Sequence, residues 1–91
     1  MLTYALVVSK QNSVENVFNA IKEFGEDHVS KAFVVYGEYD ILAEVKAQNE
    51  AKMKELLNKI REMEGVVTLK TFSVTHKTRE RDRLPQRFLK K

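Results

Sequence analysis

The strongest constraint on this chain is a hydrophobic spacing that occurs twice. Val14, Val17, Phe18, Ile21 and Phe24 fall at i, i+3, i+4, i+7 and i+10, and Met53, Leu56, Leu57, Ile60 and Met63 repeat that spacing 39 residues later. Each set is the buried stripe of an amphipathic helix. The same offset carries a strand pattern at residues 2–9 onto one at 39–47, and a strand pattern at 29–36 onto one at 66–76. The chain therefore reads as a doubled β-α-β unit, the α+β, ferredoxin-like order βαββαβ. Right-handed crossovers then give one antiparallel four-stranded sheet with both helices on one face.

Local signals mark the ends of these elements. Asn12 or Ser13 can cap the first helix, and Asn12 with Glu15 makes a capping-box-like start. Gln48 or Asn49 begins the second helix, and Gly25 and Gly65 stand where the helices stop. Gly37-Glu38 makes a short turn into the third strand. There Ile41, Ala43, Val45 and Ala47 alternate with Leu42, Glu44 and Lys46, giving a dry face and a wetter one.

The first two strands alternate less cleanly. Leu2, Tyr4, Leu6 and Val8 stand against Ala5 and Val7, and Phe33 and Val35 against Ala32, Val34 and Tyr36. A sheet with one wet face alternates more strictly than this. The face away from the helices is therefore expected to be covered. A second copy of the domain is the simplest cover, giving a two-fold dimer of facing sheets. The alternative cover is the C-terminal tail, folded back.

The length of 91 residues fits one domain. A chain this short buries a thin core, which favours oligomerisation as a source of stability. Cysteine is absent, which excludes disulfides and thiolate chemistry and fits a cytoplasmic location. No apolar run approaches the ~18 residues that span a bilayer. The N-terminus enters a strand pattern directly, with no basic region of the secretory type. The net charge of +3 is unevenly placed: residues 77–91 hold seven basic groups and two acids, a local +5 that leaves −2 on residues 1–76. The division expected is a βαββαβ domain at 1–76 and a basic tail at 77–91. In the tail, Arg79-Glu80-Arg81-Asp82-Arg83 alternates in sign, Pro85 interrupts any continuous helix, and Phe88 and Leu89 are apolar. Three readings of it stand: a solvated tail, an arm that docks Phe88 and Leu89 on a neighbouring subunit, or an arm that contacts phosphates weakly and without sequence preference.

Few polar residues form a pattern with chemistry. His28 and His76 are far apart, and Glu26-Asp27-His28 sets no ligand geometry, so no metal and no cofactor are expected. No serine or threonine sits in a glycine-flanked elbow, and three scattered glycines make no phosphate loop. An enzyme on this scaffold would need a polar pocket. Glu44, Lys46, His76, Tyr4 and Tyr36 form no recognisable acid–base pair in the sequence, so no catalytic activity is expected. The segment Gly37-Glu38-Tyr39-Asp40 stands out. On its own it reads as turn chemistry, with a permissive glycine and an aspartate at a strand mouth.

Taken together, Val34-Val35-Tyr36-Gly37-Glu38-Tyr39-Asp40-Ile41-Leu42-Ala43-Glu44-Val45 closely resembles the hairpin of the effector-binding (RAM) domain of the Lrp/AsnC transcription regulators. Ile60-Arg61-Glu62-Met63-Glu64-Gly65-Val66 is similar to the family's second helix, which closes with Ile and then Gly-Val into the last strand. The resemblance covers about residues 2–75. It implies domains that pair into a dimeric α/β barrel, dimers that often assemble into rings, and small effectors, usually free amino acids, bound in clefts between dimers near the hairpin. It places Tyr36, Gly37, Glu38, Tyr39, Asp40 and Thr71 at the effector site. Gly37 would shape the turn, Tyr39 would pack beside the cleft, and Asp40 would accept from an effector's ammonium group. The family's last strand often carries two threonines two apart. Here Thr71 matches the second, Leu69 stands in place of the first, and Thr68 is displaced by one onto the other face. Full regulators of the family carry an N-terminal helix-turn-helix domain. Here the first strand begins at Leu2, so the chain resembles the stand-alone module. Two functions follow from the resemblance: an oligomeric amino-acid-sensing regulatory module, or a pure interaction module that co-assembles with full-length Lrp/AsnC regulators.

Overall fold

The computed structural model describes residues 1–74; the tail at 77–91, with its proposed roles, and His76 lie outside the described residues. The chain forms β1 (Leu2–Ser9), a short 3-10 turn (Gln11–Ser13), α1 (Val14–Lys22), β2 (Val29–Val34), β3 (Ile41–Lys46), α2 (Glu50–Arg61) and β4 (Val66–Ser73). The four strands form one sheet in the order β2-β3-β1-β4, and every neighbouring pair is antiparallel. This is the ferredoxin-like arrangement that the doubled pattern predicts.

Both helical stripes face the sheet. Val17 and Ile21 of α1 and Met53, Leu56 and Ile60 of α2 are buried, with Val14, Phe18, Phe24, Leu57 and Met63 packed around them. Against them the central strands present Ala5 and Val7 from β1 and Ile41, Ala43 and Val45 from β3, all fully buried. The alternation of β3 is thus the real inside and outside of the sheet. Asn49 caps α2: its Oδ1 accepts from the Lys52 backbone N–H at 2.9 Å. Glu50 in the first turn of α2 and Lys59 and Arg61 in the last suit the helix dipole.

Three local expectations change. The capping box at Asn12 does not form. Asn12 lies inside the 3-10 turn, and Ser13, at the N-cap of α1, makes no side-chain cap bond. The turn is closed by its own backbone instead, the Ser13 N–H donating to the Lys10 carbonyl at 2.9 Å. The second and third strands are shorter than their sequence patterns, ending at Val34 and starting at Ile41. The connection between them is also no tight two-residue turn. The Val35 N–H donates to the Asp40 carbonyl at 2.8 Å, so the chain reverses over residues 36–39. The physical cause is Asp40, whose own N–H is drawn to β1, donating to the Val7 carbonyl at 2.8 Å.

Candidate functional site

The 36–39 loop is open at its tip and fixed at its base. Tyr36 is wholly exposed, Gly37 and Glu38 are exposed, and Tyr39 is half-buried. Gly37 has φ +121°, a conformation that side chains rarely adopt, so this position in the reversal favours glycine. The base is fixed by Asp40. Besides its two backbone bonds, its carboxylate Oδ2 accepts from the Ser9 N–H at 2.9 Å. Ser9 lies where β1 slips register against β4, between Val8 and Ser9, and an N–H freed there from the ladder needs another acceptor. Asp40 supplies it. The other oxygen, Oδ1, has no partner among the described residues. The turn chemistry read from the sequence is therefore present, on the residue that the resemblance assigns to an effector.

This bond makes a stability prediction. Asp40→Ala leaves the Ser9 N–H without its acceptor in a residue only 7% exposed, and is expected to cost about 1–3 kcal/mol. Asp40→Asn keeps an acceptor and should recover most of that loss. Urea unfolding of the three proteins checks it; an Asp40→Ala midpoint equal to that of the native chain would show that the bond contributes nothing.

Thr71 lies elsewhere. It is exposed on β4 opposite Ala5, whereas Asp40 sits beyond the Val7–Ile41 pair. Two strand spacings and about three residues of strand rise separate them, roughly 14 Å. Within one chain they do not form a single pocket. Register also places Thr68 opposite Val8 and Leu69 opposite Val7, so Thr68 faces away from the side shared by Leu69 and Thr71.

The face away from the helices carries Leu2, Tyr4, Leu6 and Val8 of β1, Leu42 and Glu44 of β3, Phe33 of β2 and Phe72 of β4. Leu6 is 5% exposed, while Phe33, on the edge strand, is 52% exposed. Within this face lies a polar cluster that patterning alone does not reveal. Tyr4 and Glu44 pair across β1 and β3, and the Tyr4 hydroxyl donates to Glu44 Oε2 at 2.9 Å. The register of β2 slips between Val29 and Lys31, and Ser30, in that bulge, donates its hydroxyl to Glu44 Oε1 at 2.5 Å. Burial pushes the Glu44 carboxyl up, but the two hydroxyl bonds and the positive charges of Lys31 and Lys46 outweigh it, and the group lies below its ordinary 4.5. Tyr4 and Glu44 were both visible as polar residues of the strands, but the Ser30 bulge gives no sequence signal.

Glu26, Asp27 and His28 are all exposed in the α1–β2 loop. Among the described residues no group of three or more potential ligands is placed to hold a metal ion, and no helix is long and apolar enough to cross a membrane.

Comparisons with known proteins agree with this architecture. The fold is similar to that of TTHA0845 from Thermus thermophilus, at 24% identity over 86% of this chain and 98% of that one, with a TM-score of 0.76. It is similar to the hypothetical protein PHS023 from Pyrococcus horikoshii, at 26% identity over 84% of this chain and 93% of that one, with a TM-score of 0.73. It also matches the transcriptional regulator NMB0573 from Neisseria meningitidis, solved as an L-Met complex, at 18% identity, with a TM-score of 0.72. That match covers 97% of this chain but 58% of the regulator, and at this identity it speaks for the fold alone. A search of curated proteins gave no match. A family model described as the Lrp/AsnC ligand binding domain, a ligand-binding and not an enzyme family, matches residues 4–84. The chain belongs to the Lrp/AsnC ligand-binding domain family.

Proposed function

We propose that this chain is an oligomeric regulatory module of the cytoplasm that binds a free amino acid at clefts between dimers and acts on transcription through full-length Lrp/AsnC regulators. The module is residues 1–76, and residues 77–91 are a basic appendage. The observation that carries the reading is the 36–39 loop, presented at the tip and pinned at the base by Asp40, in a chain that matches a ligand-binding family over residues 4–84. A rigid base with an exposed tip suits a wall that is completed by a neighbouring dimer. Tyr36 and Tyr39 supply its aromatic surface, Glu38 and Asp40 its negative charge for an ammonium group, and Thr71 enters from a different copy, since its own lies too far away. The related fold of NMB0573 holds L-Met, which supports an amino acid as the ligand class. Self-association uses the apolar open face of the sheet.

One observation favours a second reading, a pure interaction module that joins full-length regulators without an effector of its own. The Asp40 carboxylate is already engaged by Ser9, and Leu69 stands where the family often has a threonine.

Thermal unfolding against each of the twenty amino acids decides between them. A ligand at 100 times its dissociation constant adds about 2.7 kcal/mol per site, a clear shift. Stabilisation by one or a few amino acids, lost in Asp40→Asn, supports the sensor. Indifference to all twenty supports the interaction module.

A further inference from the structure

The open face is mostly apolar, yet its central strand β3 carries a carboxylate held from two sides. Ser30 reaches Glu44 only because β2 bulges there, and Tyr4 reaches it from β1. A solvated surface glutamate is held by nothing of the kind. Fixing this one in place removes the side-chain freedom it would otherwise lose on pairing. Among the described residues no lysine or arginine nitrogen of the same chain lies within ion-pair distance of it. The cations of this face stand around it: Lys31 on the edge strand β2, Lys70 on the edge strand β4 opposite Leu6, and Lys46 at the end of β3. All three are exposed. The pattern is an apolar centre of Leu6, Leu42 and Tyr4 with one fixed anion, inside a rim of lysines. It is self-complementary, because the one face carries both the anion and the cations that would meet it, and a two-fold contact makes each such pair twice.

We infer that Glu44 is the charged anchor of self-association, receiving an open-face lysine (Lys31, Lys46 or Lys70) from a second copy of this chain. The inference rests on the reading of the open face as the self-association surface, and adds the residue that sets its register and partner choice. Covering the face with an apolar surface would strand the carboxylate away from water, which is unfavourable for a charge left unpaired. A lysine from the facing copy removes that cost and also discriminates against covers without a cation at that place.

Sedimentation of the full chain over a range of concentrations and salt tests it, using the native protein, Glu44→Gln and Glu44→Lys, with circular dichroism to confirm that each is folded. Glu44→Gln keeps the shape and is expected to weaken the dimer at least about tenfold, since it leaves the partner lysine buried and unpaired. Glu44→Lys should not self-associate. It should form a mixed dimer with a chain bearing Lys31→Glu, Lys46→Glu and Lys70→Glu, because one pair is then restored with its charges reversed and the other is the native pair. A native dimer whose strength is unchanged or increased by Glu44→Gln overturns this inference alone. A native chain that stays monomeric, as it would if its own tail covered the face, overturns the assembly reading together with it.

Discussion

Replacing Gly65 with alanine is expected to destabilise the fold by about 3 kcal/mol, a large share of the total of a small domain. Two effects act together. Gly65 has φ +97°, where a Cβ is strained by about 1–2 kcal/mol. That Cβ would also lie 2.8 Å from Ser13 Cβ and 3.1 Å from Val17 Cγ2. Val17 is fully buried, so relief must come from moving the start of α1 away from the sheet, an overpacking cost of about 1–3 kcal/mol. The Gly65 carbonyl also accepts from the Lys10 N–H at 2.8 Å, so the same shift loosens the link between the end of β1 and the start of β4. Gly37→Ala is the control. It has a positive φ but no atom within 4 Å of the added carbon, and should show the backbone part only. Urea unfolding of both variants separates the two terms; equal losses would mean that the close approach to Ser13 is relieved without cost.

Leu42→Asp should abolish self-association while leaving the chain folded. Leu42 lies on β3 between Leu6 of β1 and Phe33 of β2, at the middle of the open face. Within one chain it is only half-buried, so a carboxylate there keeps contact with water and the fold loses little. At a two-fold interface the same substitution buries two uncompensated charges. One such charge costs about 3–5 kcal/mol, which corresponds to a weakening of at least about a hundredfold. Sedimentation with parallel circular dichroism reads both parts. A variant that associates as strongly as the native chain would place the contact on some other surface.

The fold was readable because its signals are local. The stripes at Val14 to Phe24 and Met53 to Met63 state which helix faces are dry. The alternation of Ile41, Ala43 and Val45 against Leu42, Glu44 and Lys46 states which sheet face is dry. The candidate site was readable only in part. The hairpin segment could be found, and so could the displacement of Thr68 to the opposite face, which follows from the two-residue period of a strand. The shape of the 36–39 loop could not, because it is set by bonds from Asp40 to Val7 and Ser9, more than thirty residues earlier in the chain. The cap expected at Asn12 does not form for a related reason. Its spacing to Glu15 is correct, but the chain leaving β1 is tied at Lys10 to Gly65 and enters α1 through a 3-10 turn.

By itself the sequence determined the kinds of element, their order and their buried faces, because periodicity in a strand or helix depends only on near neighbours. It also carried the family. The tertiary structure alone decided which polar groups meet. Ser9 with Asp40, Tyr4 and Ser30 with Glu44, and Lys10 with Gly65 are set by strand register and by a bulge, which bring together residues that share no local pattern. The same register decided that Asp40 and Thr71 of one chain stand apart, because β1 runs between their strands and fixes each at a different height along it.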